Sequence, residues 1–159
     1  MIDVGGGSSI LAGRLVDAGY AVTVLDISSE ALQRARSKLG HQADRVRWVV
    51  ADVTRVDSVG QFDVWHDRAV FHFLTSRDDR QAYASLAERT LPPGAHLIVA
   101  TFAPDGPTTC SGLPVCRYDG RGLAQEFGSG FMILKEVPET HVTPGGKPQA
   151  FTYAMFRRV

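Results

Sequence analysis

The chain has 159 residues, and 17 Lys plus Arg balance 17 Asp plus Glu for a net charge of +0. Such balance argues against a nucleic-acid partner or an anionic membrane surface, and no apolar run approaches the roughly 20 residues of a membrane span. No basic segment leads into a long apolar one at the N-terminus, so a cytoplasmic protein without membrane association is expected.

The length suits one domain over residues 1–159, large enough to bury roughly 68–70% of its unfolded surface. Its elements alternate. Ile2–Val4 is a short first strand, and a helix is predicted over Ser8–Ala18 with Ile10, Leu11, Leu15 and Ala18 on its buried face and Gly19 just past its end. "YAVTVLD" is a buried strand ending at Asp26, and Ser28 then caps a helix with Leu32, Ala35 and Leu39 inside and Gly40 as its stop. "RVRWVVAD" and "FDVWHD" are the third and fourth strands. A helix led by Asp78 and Asp79 carries Ala82, Leu86 and Leu91 to a Pro-Pro-Gly stop before "AHLIVATF", the fifth strand.

The C-terminal third differs. A loop rich in turn formers spans Ala103 to Pro114, a short helix runs near Asp119 to Phe127, and strands at Phe131–Val142 and Gln149–Arg157 flank "TPGGKP". That turn makes a hairpin, so the last strand runs antiparallel to its neighbour. The expectation is an α/β fold: a doubly wound, mostly parallel seven-stranded sheet closed by an antiparallel C-terminal hairpin. Cys110 and Cys116 have neither zinc-knuckle nor redox-pair spacing and are read as ordinary reduced thiols, with no metal site.

Ligands of such sheets bind beyond the carboxyl ends of the strands, where the winding direction switches. The glycines at 5–7 open that loop, letting a ligand lie against bare backbone. Ile10 takes the place of the third glycine of the dinucleotide fingerprint, and nothing basic lies in the loop, so a pyrophosphate fits poorly. Three acids, Asp3, Asp26 and Asp52, instead end three adjacent strands, a pattern for a cationic or uncharged nucleoside.

"IDVGGGSS", "VTVLDIS", "VADV" and "LPPGAHLIVATF", in that order and followed by a hairpin, resemble the class I S-adenosylmethionine-dependent methyltransferases along essentially the whole chain. The resemblance implies a Rossmann-like methyltransferase fold with S-adenosylmethionine as cofactor and S-adenosylhomocysteine as product. By the same likeness Asp3 and Gly5, Gly6 and Gly7 hold the methionine part, Asp26 grips the ribose with Ile27 against the adenine, and Asp52 and Val53 meet the adenine edge. Ala95 departs from the family's second glycine in the segment before strand five. "FDVWHDRAVFHFLTSRDDR" resembles small-molecule members of the ubiquinone-synthesis and trans-aconitate groups, which sets His72 toward the reaction centre and Asp67 near the methyl donor.

His72 is therefore the first candidate general base and Asp67 the second, against the plainer readings of a core histidine and of an Asp67–Arg68 ion pair. Arg68 is a candidate for a substrate carboxylate. His66, His96 and Trp65 are read as packing residues, and His141 and Tyr118 as possible acceptor-side residues. The expected reaction is methyl transfer to an O, N or S nucleophile of a small molecule. Protein lysine methylation and a non-catalytic cofactor-binding subunit are the alternatives, and an NAD-dependent oxidoreductase, lacking a Tyr-x-x-x-Lys pair, is the remote one. The chain opens directly on the first strand, so either the site is open, with weak cofactor binding and slow turnover, or a second copy (a homodimer, the favoured reading) or another partner covers it.

Overall fold

A computed structural model describes the backbone of residues 1–159 and every side chain except that of Ser8. Nine strands and four helices follow one another: β1 Ile2–Val4, α1 Leu11–Asp17, β2 Val22–Asp26, α2 Ser29–Leu39, β3 Val46–Val50, β4 Val64–Arg68, α3 Arg77–Thr90, β5 His96–Phe102, β6 Thr109–Cys110, β7 Leu113–Pro114, α4 Gly120–Phe127, β8 Phe131–Val142 and β9 Pro148–Arg158. Seven strands form one sheet in the order β3-β2-β1-β4-β5-β9-β8. β1 to β5 pair in parallel, and β9 runs antiparallel to both β5 and β8. The winding direction switches between β1 and β4, and the five parallel strands bring their carboxyl ends to one edge.

Alternation along each strand sends side chains to two layers. Ala12, Val16 and Leu32 of α1 and α2 pack on Val22, Val24 and Val46. On the other face Tyr83, Leu86, Leu123 and Phe127 of α3 and α4 pack on Trp65, Leu97, Val99 and Phe156. Local signals define the ends. The Ser28 hydroxyl accepts from Ala31 N–H at 3.1 Å to cap α2, Gly40 leaves it at φ 59°, and Asp119 caps α4 by accepting from Gly122 N–H at 2.7 Å.

Two expectations are corrected. α1 starts at Leu11 because Gly6–Ser8 form a separate 3-10 turn, so Ala12 and Val16 are its buried residues while Ile10 is 64% exposed. The loop from Ala103 also contains an antiparallel ribbon, β6–β7, whose turn residues Ser111 and Gly112 both have positive φ. No helix among the described residues is long and apolar enough to cross a membrane.

Candidate functional site

The carboxyl ends of β1 to β4 enclose a cavity of about 400 Å³. Its floor is Val4 and Gly5, Asp26 and Ile27 continue from β2, Asp52 and Val53 follow β3, and Ala69, Val70, Phe73 and Leu74 close it from beyond β4. Every residue from 26, 27, 52 and 53 expected near a nucleoside is on this wall. None of its lining residues is Lys or Arg.

Asp26 is bound by its surroundings without being used up. Its Oδ2 accepts from Gly7 N–H at 3.1 Å and its Oδ1 from Ser28 N–H at 2.8 Å, which aims the carboxylate and leaves further lone pairs at the cavity. Gly7 is required there by space: a Cβ would stand 2.7 Å from Asp26 Oδ2 and 2.8 Å from Ala31 Cβ. Gly5 sits at φ +71°, a left-handed turn that costs a non-glycine residue strain. Ile27 is 69% exposed at the mouth, opposite the buried Val53. Asp52 folds into its own turn, accepting from Thr54 N–H at 2.9 Å and Thr54 Oγ1 at 2.7 Å. The Thr54 side-chain and backbone bonds hold its carboxyl below the usual range, so Asp52 stays an acceptor at neutral pH.

Asp3 lies beneath the glycine loop. It is nearly buried and pairs with His66, the residue across from it on β4, through Oδ1 and Nδ1 at 2.7 Å. Its Oδ2 is buried beneath Gly6 with no hydrogen-bond partner among the described residues. Asp3, Gly6, His66 and Arg68 line a second cavity of about 210 Å³ that shares Val4 and Gly5 with the first. His66, read from the sequence as packing, is thus a site residue. No local pattern signals it, because Asp3 and His66 meet only through the pairing of β1 with β4.

Asp67 faces the opposite layer from His66 and lines neither cavity. It is fully buried, and its carboxylate accepts from Val70 N–H at 2.8 Å, Phe71 N–H at 2.9 Å and the Tyr83 hydroxyl at 2.6 Å. Tyr83 in turn accepts from Trp65 Nε1 at 2.8 Å. Burial raises the Asp67 carboxyl to about 6 despite these donors. The Asp67–Arg68 ion pair weighed from the sequence is absent, because alternation sends the two side chains to opposite faces. Arg68 donates from Nε to Tyr153 Oη at 2.8 Å, lies over the Phe151 ring at 4.9 Å and approaches Glu139 at 4.0 Å.

His72 is fully buried in a 3-10 turn, its ring edge-on to Phe73 and tilted on Phe102. Nε2 has no partner, and burial lowers the imidazole to about 4, so it is neutral at pH 7. The geometry is that of the core histidine weighed against the base. Phe73 and Leu74, the next two residues, reach the larger cavity. Tyr118 and His141 lie outside both cavities: Tyr118 donates to Glu126 at 3.3 Å, and the His141 ring lies edge-on to Phe151.

A linkage prediction follows. A histidine lowered from 6.5 to about 4 on folding contributes stability that is whole above pH 6.5 and lost as pH falls toward 4. Asp67, raised to about 6, has the opposite slope, its stability growing as pH falls through 6. His72→Gln should therefore narrow its stability gap to the wild type by on the order of 2–3 kcal/mol between pH 7 and pH 4, read by urea unfolding at each pH. A gap independent of pH would remove His72 as a buried neutral group.

Comparison with known proteins agrees with this layout. A family model described as a methyltransferase domain matches residues 1–94. The ubiquinone/menaquinone biosynthesis C-methyltransferase of Paracoccus denitrificans is 35% identical over 108 residues, 65% of this chain and 42% of that protein. The chain thus spans less than half of that relative. A SAM-dependent methyltransferase from Methanosarcina mazei superposes with a TM-score of 0.78 at 17% identity, covering 99% of this chain and 91% of that one. The N-methyltransferase NodS of Bradyrhizobium japonicum in complex with S-adenosyl-L-homocysteine gives 0.75 at 16% identity, over 99% and 76% of the two chains. These likenesses establish the Rossmann-like methyltransferase fold, and the match over residues 1–94, more than half of the sequence, establishes that the chain belongs to the methyltransferase domain family.

Proposed function

We propose that residues 1–159 form one domain that binds S-adenosylmethionine and transfers its methyl group to an O, N or S nucleophile of a small molecule. The observation that carries this is the larger cavity: an aimed carboxylate on β2, a bare glycine backbone beside it, apolar walls at Ile27 and Val53, and no cation for a pyrophosphate. These features fit a nucleoside with a short zwitterionic tail. Bound there, S-adenosylmethionine supplies a methyl carbon already activated by the attached sulfonium.

The chain's own residues then bind and orient. Asp26 accepts from the ribose hydroxyls, Ile27 and Val53 flank the adenine, Asp52 accepts from its amino group, and Gly5 to Gly7 give the methionine part room. Asp3 and Asp67 act from beneath the site, Asp3 under Gly6 and Asp67 by holding the Val70–Phe71 turn that walls it. Alignment of nucleophile and methyl with exclusion of water is worth up to roughly 7–11 kcal/mol in such displacements. The exposed Ile27 favours a covering partner, a second copy of the chain first. The unbridged Cys110 and Cys116 suit the proposed cytoplasmic setting.

The test is binding. Calorimetry should show S-adenosylhomocysteine binding and no NAD binding, with Asp26→Ala weakening the former about tenfold or more, the worth of a charged hydrogen bond to ribose. Binding of NAD in place of the S-adenosyl ligand would overturn the reading. Equal affinity of Asp26→Ala and wild type would remove Asp26 from it.

A further inference from the structure

Both bases expected from the sequence are shut away from the cavities, yet an imidazole held by a carboxylate stands in the smaller one. His66 Nδ1 lies 2.7 Å from Asp3 Oδ1, with Asp3 side-chain exposure at 3% and that of His66 at 17%. A buried carboxylate on Nδ1 sets the tautomer that leaves Nε2 as the ring's acceptor and offsets charge arriving on the ring. Nε2 has no hydrogen-bond partner among the described residues. The cavity that His66 lines shares Val4 and Gly5 with the larger one, so a molecule there would border the glycine turn on which the proposed cofactor lies.

Arg68 projects from the same face of β4 two residues further on and lines the same cavity. Tyr153, the Phe151 ring and Glu139 hold its guanidinium from one side, an arrangement that pre-organises the remaining donors. The charged groups facing His66 are Asp3 from β1 and, along β4, Arg68, with Asp67 behind the strand; Ile98 is its neighbour on β5.

We infer that the Asp3–His66 pair accepts the proton of the methyl acceptor while Arg68 holds an anionic group of the same molecule. The acceptor class follows from the base. Imidazole assists loss of a proton from a thiol, phenol or ammonium, whose acidities lie within a few pH units of its own, far better than from an alcohol. The acceptor is a small thiol, phenol or amine that also carries a carboxylate. For a thiol, the S–H bond breaks toward His66 Nε2 and its electron pair forms the new S–CH₃ bond. The old CH₃–S⁺ bond breaks with its pair left on the departing sulfur, a neutral thioether. The imidazolium, paired with Asp3, returns its proton to solvent at the cavity mouth.

This inference rests on the methyl-transfer reading, and one experiment separates the two. Methyl transfer to mercaptoacetate and to the uncharged 2-mercaptoethanol is followed from pH 5.5 to 8.5, with S-adenosylhomocysteine affinity measured alongside. His66→Gln should bind S-adenosylhomocysteine within about threefold of wild type, lose at least tenfold in kcat and lose the acidic limb of the rate profile. Arg68→Gln should raise KM about tenfold for mercaptoacetate alone. Should His66→Gln not fold, His66→Asn carries the same expectation, its retained ligand binding showing an intact site. Unchanged kcat and acidic limb in the His66 variant, or equal KM effects on both thiols in the Arg68 variant, would overturn the inference. So would a wild type that binds S-adenosylhomocysteine but methylates neither thiol, nor 4-hydroxybenzoate as the phenol, nor glycine as the amine. A wild type that does not bind it overturns the methyl-transfer reading itself.

Discussion

Asp67→Ala should cost about 3–5 kcal/mol of stability, the largest loss from any single polar side chain in the fold. Two buried donors, Phe71 N–H and the Tyr83 hydroxyl, and the part-buried Val70 N–H lose the acceptor of a fully buried residue at once. Each orphaned donor is worth about 1–3 kcal/mol, with partial relaxation keeping the sum near the lower end. The damage reaches the site, because the turn that carries the Val70 and Phe71 donors presents Ala69 and Val70 to the cavity, with Ala69 held at φ 69°. Urea unfolding at pH 7 checks it: a midpoint shift equivalent to less than about 1 kcal/mol at unchanged slope would mean the network is replaceable. Asp67→Asn should fall between, since its amide keeps an acceptor for Tyr83 but turns a donor on a backbone N–H.

Gly7→Val should weaken S-adenosylhomocysteine binding at least a hundredfold, about 3 kcal/mol at 1.4 kcal/mol per tenfold. The first added carbon already stands 2.7 Å from Asp26 Oδ2 and 2.8 Å from Ala31 Cβ, and a branched side chain adds two more atoms. Relief by moving Asp26 breaks its bond from Gly7 N–H and misaims the carboxylate; relief by moving α2 disturbs the Ser28 cap beside it. Gly13→Ala is the control. Its Cβ would meet Leu39 Cδ1 at an ordinary 3.6 Å, and alanine in the interior of α1 should stabilise by up to about 1 kcal/mol with ligand affinity unchanged. Affinity of the Gly7 variant within tenfold of wild type would show that the glycine is there for folding rather than for the ligand.

These two positions mark different depths of legibility. The placement of Asp26 and Gly7 at the carboxyl edge was readable because it follows from short-range facts: a strand ends at Asp26, a helix cap begins two residues later, and parallel strands put their carboxyl ends on one edge. The same holds for Gly40, Asp119 and the hairpin of β8 and β9, where a local turn or cap decides the conformation. Asp67 and His72 carry equally strong local patterns, yet a partner in another element decides what each one does. Tyr83 comes from the middle of α3 to meet Asp67, and Phe102 from the end of β5 to cover His72.

The sequence by itself determined the order of strands and helices, the family they belong to and the edge at which the glycines and the strand-end acids collect. Periodicity, capping and turn chemistry are properties of neighbouring residues, and they suffice for that much. Tertiary structure alone decided which titratable groups of β4 line a cavity. The phase of β4 sends Trp65 and Asp67 into the α3 layer and His66 and Arg68 toward the cavity, and Asp3 finds His66 across 63 residues of chain. A carboxylate or an imidazole takes its role from the dielectric and the donors around it, and those are assembled only when distant segments pack.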